Sequence, residues 1–369
     1  MAFLNITLEI VVVNFSLIWI FNKMSNITIK DIAKALNFSV STISKALNNS
    51  YEIGPETKQK IADYAKANNY KPNRLAKSLK IGHTNSIGVI VCSFFSSTFL
   101  AQILDGIQKA SFETGHDIII MQSFENVETE KACLDALISK GVDGILMAPV
   151  SETSNSDYLT DINKNHCPIV LFDRINSGIQ TTKIGVTEYK GALEATQHLI
   201  DINRKRILFI TGDKFGDNNQ RILGFKKALK NLDIPFNQRY MVHCSLENID
   251  EMDAKISSSI NELREQNIMP NAIFGATDVI TTRTLGILAQ LKIKVPDEIA
   301  VIGFANTDIA FSLNPSLSTI RQPAKEMGAL ALNKLVELID MHGKKPQQYE
   351  TILLDTSIQL RNSTNLAIV

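Results

Sequence analysis

Apolar positions recur at helical spacing across residues 28–68. In "TIKDIAKAL", Ile29, Ile32, Ala33 and Leu36 fall on one face, which predicts a helix. Thr28 can cap it, with Asp31 three residues on to complement the amino end. "NFS" follows as a tight turn, where Asn37 suits a left-handed backbone position. Ser39 can cap a second helix, "VSTISKALN", with Ile43, Ala46 and Leu47 facing inward. A third opens at "GPET", with Pro55 in its first turn, and runs through Ile61, Ala62 and Ala65 to "NNY". Two short helices joined by a three-residue turn predict a helix-turn-helix. The second leaves Val40, Ser41, Ser44 and Lys45 on or near its outer face, and such a helix fits the major groove, where base edges are distinguishable. The same pattern also fits a plain three-helix bundle.

From residue 85 the pattern changes. Short continuous apolar runs ("SIGVIV", "DIIIMQS", "GILMAPV", "PIVLFDR", "RILFITG", "AIFGAT", "IAVIGFA") alternate with amphipathic helical stretches such as "TFLAQILDGIQKASFETG" and "NQRILGFKKALKNL". Runs of this kind predict strands buried on both faces. Their alternation with helices predicts an α/β body built on doubly wound parallel sheets. There are too many strands for one mononucleotide fold, so two lobes with a cleft between them are expected, with ligands at the carboxyl ends of the strands.

Between head and body lies "KPNRLAKSLKIG". Pro72 ends what precedes it, and "NRLAKSLK" holds good helix formers but is too short to stand alone in water. Such a segment can order on meeting a partner. Leu79, apolar among basic neighbours, fits either packing on the body or a wedge between bases in a minor groove.

Charge sharpens this division. The chain of 369 residues has 38 Lys+Arg and 38 Asp+Glu, a formal net charge of zero. Residues 24–81 nonetheless carry ten Lys/Arg against four acids, and the body carries the compensating acidic excess. A basic head on an acidic body suggests a polyanion-binding module, or a solvated helical surface. The four cysteines, Cys92, Cys133, Cys167 and Cys244, are scattered in or near apolar runs. They read as buried reduced thiols, with neither a disulfide framework nor metal spacing. No cofactor and no metal are expected.

Candidate chemistry gathers at the strand ends. "FDR" sets Asp173 and Arg174 just after a strand, "GDNNQRILGF" sets Arg221 at a helix start, and "GATD" ends a strand at Thr277 and Asp278. Arginine with acid, amide and hydroxyl groups at a cleft suits a polyhydroxylated ligand or a small anion. Loop salt bridges are the plainer reading of the same residues. No G-x-S-x-G, H-E-x-x-H, phosphate-cradling loop or strand-linked G-x-G-x-x-G is present, so an enzyme is not expected.

The stretch "ITIKDIAKALNFSVSTISKALN…IGPETKQKIADYAKANNYKPNRLAKSLKIGHTNSIGVIV" resembles the opening of the lactose-repressor/galactose-repressor family of bacterial regulators. The resemblance continues through "GVDGILMAPV", "PIVLFDR", "RILGFKKAL", "NAIFGATD", "VPDEIAVIGFAN" and "PSLSTIRQPAKEMG". It implies a cytoplasmic homodimeric regulator, a repressor, bound to a near-palindromic operator in double-stranded DNA. Its core would resemble periplasmic sugar-binding proteins, with a small sugar-like effector in the cleft acting on DNA affinity through the hinge. It further implies that Val40, Ser41 and Lys45 read bases, and that Ser39, Thr42, Ser44 and Asn48 contact phosphates or cap. Asn73 and Ala76 would lie in the hinge and Leu79 would be the minor-groove wedge. Arg221 would bind effector, and Asp173, Arg174, Thr277 and Asp278 would line the cleft.

The chain departs from the family pattern in places. Lys45 stands where arginine is usual, and lysine lacks the planar fork that reads guanine bidentately. After "VIGF", many members place an aspartate; here Ala305 and then Asn306 follow, and Asn306 is taken as the cleft contact. In "CSFFSSTFL", Ser96 and Ser97 stand for a usual proline and asparagine. The implied domains are an apolar extension at 1–23, a DNA-binding domain at 24–72, a hinge at 73–82 and an effector-binding and dimerisation core at 83–369. Two alternatives are a catabolite-type regulator controlled by a phosphoprotein and a sugar-binding protein without DNA-linked regulation. Residues 2–21 are long enough to span a membrane. They hold Asn5, Glu9 and Asn14, however, and the six residues before Thr28 reach only roughly 20 Å, which would crowd a duplex against a bilayer. Translation from Met24 and no stable membrane association are therefore expected. The ending "QLRNSTNLAIV" has no heptads, which favours a dimer over a tetramer.

Overall fold

The computed structural model describes residues 27–71, 83–92, 98–150, 157–175, 178–341 and 346–365. The apolar extension, the hinge residues Asn73, Ala76 and Leu79, and Ser96 and Ser97 lie outside the described residues. The chain divides at Thr84/Asn85 into two compact units.

The first unit contains α1 (Ile29–Leu36), α2 (Val40–Leu47) and α3 (Pro55–Ala67). Thr28 and Asp31 form a reciprocal capping box: Thr28 Oγ1 accepts from the Asp31 amide at 3.3 Å and Asp31 Oδ2 accepts from the Thr28 amide at 2.9 Å. Asn37 ends α1 at φ 55°, the left-handed conformation its short side chain tolerates. The three helices close on Ile32, Ala33, Ile43, Ala46, Ile61 and Ala65, all buried. Ala62 points out to solvent.

The second unit has two lobes. Sheet A is built from β1 (Ser86–Val91), β2 (Asp117–Gln122), β3 (Gly144–Met147), β4 (Ile169–Phe172), β5 (Lys183–Val186) and β11 (Thr351–Leu354), in the order β11-β5-β4-β3-β1-β2. All its pairings are parallel. Sheet B is built from β6 (Ile207–Gly212), β7 (Met241–Cys244), β8 (Ala272–Gly275), β9 (Ala300–Phe304), β10 (Ser318–Arg321) and β12 (Ser357–Gln359), in the order β12-β10-β9-β8-β6-β7. Only β12 is antiparallel to its neighbour.

Around sheet A lie α4 (Thr98–Thr114), α5 (Val127–Ser139), α6 (Asp157–Asn165) and α11 (Ala324–Asp340). Around sheet B lie α7 (Glu188–Asp201), α8 (Gln220–Asn231), α9 (Ile249–Glu265) and α10 (Asp278–Gln290). Alternate strand residues feed opposite layers. Val89, Leu146 and Val170 pack towards α4 and α11, while Ile90, Ile145 and Ile169 pack towards α5 and α6. In the other lobe, Phe209, Phe274 and Phe304 pack with α7 and α8, and Leu208, Ile273 and Val301 with α9 and α10. The helices α4 and α11 cross at glycines. A β-carbon on Gly106 would meet the Lys325 carbonyl oxygen at 2.0 Å, and one on Gly328 the Ile103 carbonyl oxygen at 2.1 Å.

One strand departs from its apolar reading. "DIIIMQS" reads as a strand buried on both faces, but β2 is an edge strand and Ile120 is 47% exposed. The sheet leaves its outer side open. Among the described residues, no helix is long and apolar enough to cross a membrane.

Candidate DNA interface and effector cleft

In the head, α2 presents the expected face. Ser39, Val40, Ser41, Lys45 and Asn48 are exposed and Thr42 and Ser44 half-exposed, with Val40 at 42%. Ser39 caps the helix by accepting from the Thr42 amide at 3.0 Å, and its hydroxyl also meets those of Ser41 and Thr42 at 2.7 and 2.8 Å. Asn48 Nδ2 donates to the Ser44 carbonyl at 2.8 Å. Small hydroxyl and amide groups on a helix start are suited to phosphate oxygens and base edges. Lys45 is less free than its position suggests, because its ammonium is paired with Glu52 in the turn before α3.

In the core, the candidates meet where strand ends of the two lobes converge. Arg221 opens α8 and is 8% exposed. Its guanidinium lies 4.1 Å over the Phe304 ring. That ring ends a column in which Phe209 and Phe274 stack at 4.9 Å and Phe274 meets Phe304 at 6.3 Å. Nε donates to Glu188 Oε1 at 3.0 Å, Nη2 donates to the same oxygen, and Nη1 donates to the Ala276 carbonyl. Packing thus holds the guanidinium plane and Glu188 balances its charge.

Asp173 follows β4 in the other lobe, in a left-handed backbone conformation (φ 61°). Burial pushes its carboxyl up to about 6; Arg174 and Arg221 pull it down, and Glu188 and Glu125 push it up. No described residue hydrogen-bonds that carboxylate. Arg174, its neighbour, is forked onto Glu125: Nη1 donates to Oε2 at 2.8 Å and Nη2 to Oε1. Nη1 also approaches the Pro149 carbonyl at 3.4 Å.

Thr277 caps α10, accepting from the Ile280 amide at 3.4 Å. Asp278 accepts from the Asn306 amide at 3.1 Å and from Thr282 at 3.3 Å. Burial raises its pKa, against the Asn306 and Thr282 hydrogen bonds and the Arg321 charge that lower it. Asn306, 1% exposed, has a different place from the one its position after "VIGF" suggests. Both atoms of its amide are engaged: Nδ2 donates to Gln102 Oε1 and to the Gln322 carbonyl, both at 2.8 Å, and Oδ1 accepts from the Gln322 amide at 2.9 Å. It fastens chain to chain, and what its amide still offers a ligand is the second lone pair of Oδ1.

Several residues here carry no signal in the sequence. Glu188 and Glu125 are single acids in ordinary helix-start and turn contexts, and Gln102 is one polar position on an amphipathic helix. Thr211 Oγ1 and Gln322 Nε2, at the ends of β6 and β10, are buried without a hydrogen-bond partner. All four cysteines are buried and unpaired. Burial pushes the thiols of Cys92 and Cys167 up to about 12 and that of Cys244 up to about 11. Among the described residues, no His, Cys, Asp and Glu cluster could hold a metal ion.

Comparison with known proteins gives two family matches. Residues 28–73 match the bacterial regulatory proteins of the lacI family, and residues 196–364 match a periplasmic binding protein-like domain. The chain is 30% identical over 337 residues to the HTH-type transcriptional repressor PurR of Histophilus somni (strain 2336), covering 91% of this chain and 98% of that protein. It is 28% identical over 341 residues to catabolite control protein A of Priestia megaterium, covering 92% and 99%. In fold it is similar to the lac repressor dimer bound to operator and the anti-inducer ONPF, with a TM-score of 0.79 at 20% identity, covering 92% of this chain and 99% of that one. It is also similar to the transcriptional regulator CelR in its cellobiose complex, with a TM-score of 0.66 at 22% identity and coverage of 92% and 100%. A three-helix head presenting a polar helix face, a two-lobed core and a relative aligned over nearly its whole length together place this chain in the lacI family of bacterial regulatory proteins.

Proposed function

We propose that this protein is a cytoplasmic, homodimeric transcriptional repressor whose grip on a near-palindromic operator is set by a small effector held between the two lobes. The observation that carries the reading is the α2 face, Ser39 to Asn48, in a lacI-type head on the same chain as a two-lobed core. Val40, Ser41 and Lys45 read base edges in the major groove. Ser39, Thr42, Ser44 and Asn48 meet phosphates or hold the helix end. Asn73 and Ala76 serve as the hinge and Leu79 as the minor-groove wedge.

Effector and operator act on each other by linkage, each favouring one arrangement of lobes and hinge. Asp173 and Arg221 come from opposite lobes and sense each other's charge, which supports a ligand bridging them. Thr277 follows Ala276, whose carbonyl accepts from Arg221, and Arg174 is the paired neighbour of Asp173; Asp278 sits with Asn306 at the start of α10. The protein works by binding alone.

Footprinting of the full-length chain on fragmented DNA from its source, at low and at higher salt, tests this reading. Nonspecific phosphate binding fades steeply with salt. Two-fold symmetric sites that survive the higher salt are expected. Protection that disappears uniformly, with no symmetric site at either salt, would sink it.

A further inference from the structure

The basic head holds four acids, and three of them have a structural use within it. Asp31 closes the capping box of α1, and Asp63 accepts from Gln59 Nε2 at 2.9 Å. Glu56 lies in the first turn of α3, where the helix dipole favours it. Glu52 differs. Its exposed carboxylate pairs with Lys45, the one Lys or Arg of α2. An acid beside the helix that enters the groove is repelled by the phosphates, unless the groove offers it a donor.

The turn that carries Glu52 is fixed against α2. The Ser50 amide donates to the Lys45 carbonyl at 2.9 Å, and the Asn49 amide to the Ala46 carbonyl at 3.0 Å. Lys58 Nζ donates to Asn49 Oδ1 at 2.9 Å, and Ile53 packs against the head core. Lys45 lies one turn beyond Ser41 on the outer face of the helix. Both charged side chains are 47% exposed, and Glu52 Oε1 has no hydrogen-bond partner among the described residues.

A donor and an acceptor in contact are the complement of one base-pair edge. In the major groove a G·C pair presents the acceptors N7 and O6 and then the cytosine N4 amine. O6 and N4 are joined by a Watson–Crick hydrogen bond, so they lie about 2.9 Å apart. An ammonium touching a carboxylate faces them with similar spacing and reversed polarity. An A·T pair sets its amine between N7 and the thymine O4, so a carboxylate on that amine meets an acceptor on either side.

We infer that Glu52 is a base-reading residue, and that Lys45 and Glu52 together read a single G·C pair. Nζ donates to guanine O6 and N7, and the Glu52 carboxylate accepts from cytosine N4. The ion pair opens onto the base pair, exchanging one internal contact for two across the interface. This rests on the assignment of Lys45 to base edges above. Glu52 adds the second fixed contact that a lysine, without a planar fork, does not make by itself.

Selection of binding sites from a random duplex library by the full-length protein, read by sequencing, tests this. Wild type, Glu52→Gln and Lys45→Ala are compared at one moderate salt concentration. Wild type should select a two-fold symmetric motif with one G·C pair per half-site that both variants relax. At that position Glu52→Gln should cut the preference for G·C by about tenfold, the discrimination of a good base contact. It should also admit A·T there, since an amide reads adenine N6 and N7 together. Preferences elsewhere in the motif should not move. A Glu52→Gln motif identical to wild type, or weakened evenly at all positions, overturns the inference and leaves the operator reading standing. So does relaxation of different base pairs by the two variants. No symmetric motif with wild type removes the operator reading, and this inference with it.

Discussion

Gln102 and Asn306 hold each other across the two lobes of the core. Asn306 Nδ2 donates to Gln102 Oε1 at 2.8 Å, and Gln102 Nε2 donates back to the Asn306 carbonyl at 3.1 Å. Gln102 belongs to α4 on sheet A, and Asn306 follows β9 of sheet B. Asn306 in turn clasps both sides of Gln322, where the chain leaves sheet B.

Gln102→Leu keeps the bulk and removes both bonds. Each is worth about 1 kcal/mol net in such a setting. The thermal midpoint of the core should fall by roughly 2–4 °C, and the effector should shift operator affinity less than in wild type. Calorimetry, and operator titration with and without the low-molecular-weight extract of the source cells, measure both. An unchanged midpoint and an unchanged shift would mean that the lobes are held elsewhere.

Asp173 gives a stability prediction with a definite sign. Its pKa in the folded protein, about 6, lies above the ordinary 3.8, so the folded state binds this proton more tightly than the unfolded one. The charged form therefore costs stability above pH 6, and the cost fades as pH falls from 6 towards 3.8. Asp173→Asn should raise the midpoint of the ligand-free protein at pH 8, by on the order of 1 kcal/mol. The gain should shrink at pH 5. Equal midpoints for the two proteins at pH 8 would exclude a buried charge at this position.

In the head, Lys45 is paired with Glu52. A lysine that meets a base or phosphate must first leave this acid. Glu52→Gln should strengthen operator binding several-fold at low salt, with a smaller gain at high salt, where exposed pairs are screened. Gel-shift titration at two salt concentrations measures it. Weaker binding by the variant would point to Glu52 as a needed support of the helix.

The crossing of α4 and α11 tolerates no β-carbon. Gly106→Ala puts a methyl group 2.0 Å from the Lys325 carbonyl oxygen, a backbone atom that cannot swing aside. A loss of about 3 kcal/mol is expected, at the upper end for overpacking. Gly54→Ala, with nothing within 4 Å of the added carbon, serves as a comparison with little packing effect. Denaturant titration of the two variants should separate them.

The sequence made the larger elements legible. All three head helices and the longer apolar strands stand where periodicity puts them, because burial dictates their pattern. The strands β5, β7, β10, β11 and β12 do not announce themselves. Each has four residues or fewer, and "STIR" or "SIQ" reads as loop until its neighbours are known. Ser318, for instance, is stabilised by Arg361 and Thr364, 43 and 46 residues away. The cleft shows the same division. Arg221 and Asp173 are visible as charges at strand ends, but the acids that neutralise the arginines come from 33 and 49 residues away, through packing that no local spacing records. Asn306 marks the limit most clearly. Its position suggested a ligand contact, and nothing in the sequence records that its amide nitrogen and oxygen also tie Gln102 and Gln322 together.

The chain passes between the sheets three times, from β5 to α7, from β10 to α11 and from β11 to β12. Neither lobe is therefore encoded by a continuous stretch. During synthesis, sheet A must wait with one edge bare and one helical layer incomplete until residues 324–354 emerge, after nearly all of sheet B has been made. Its completion closes contacts far apart in sequence, a slow kind of step, so the order of manufacture favours sheet B as the template on which the first lobe is finished.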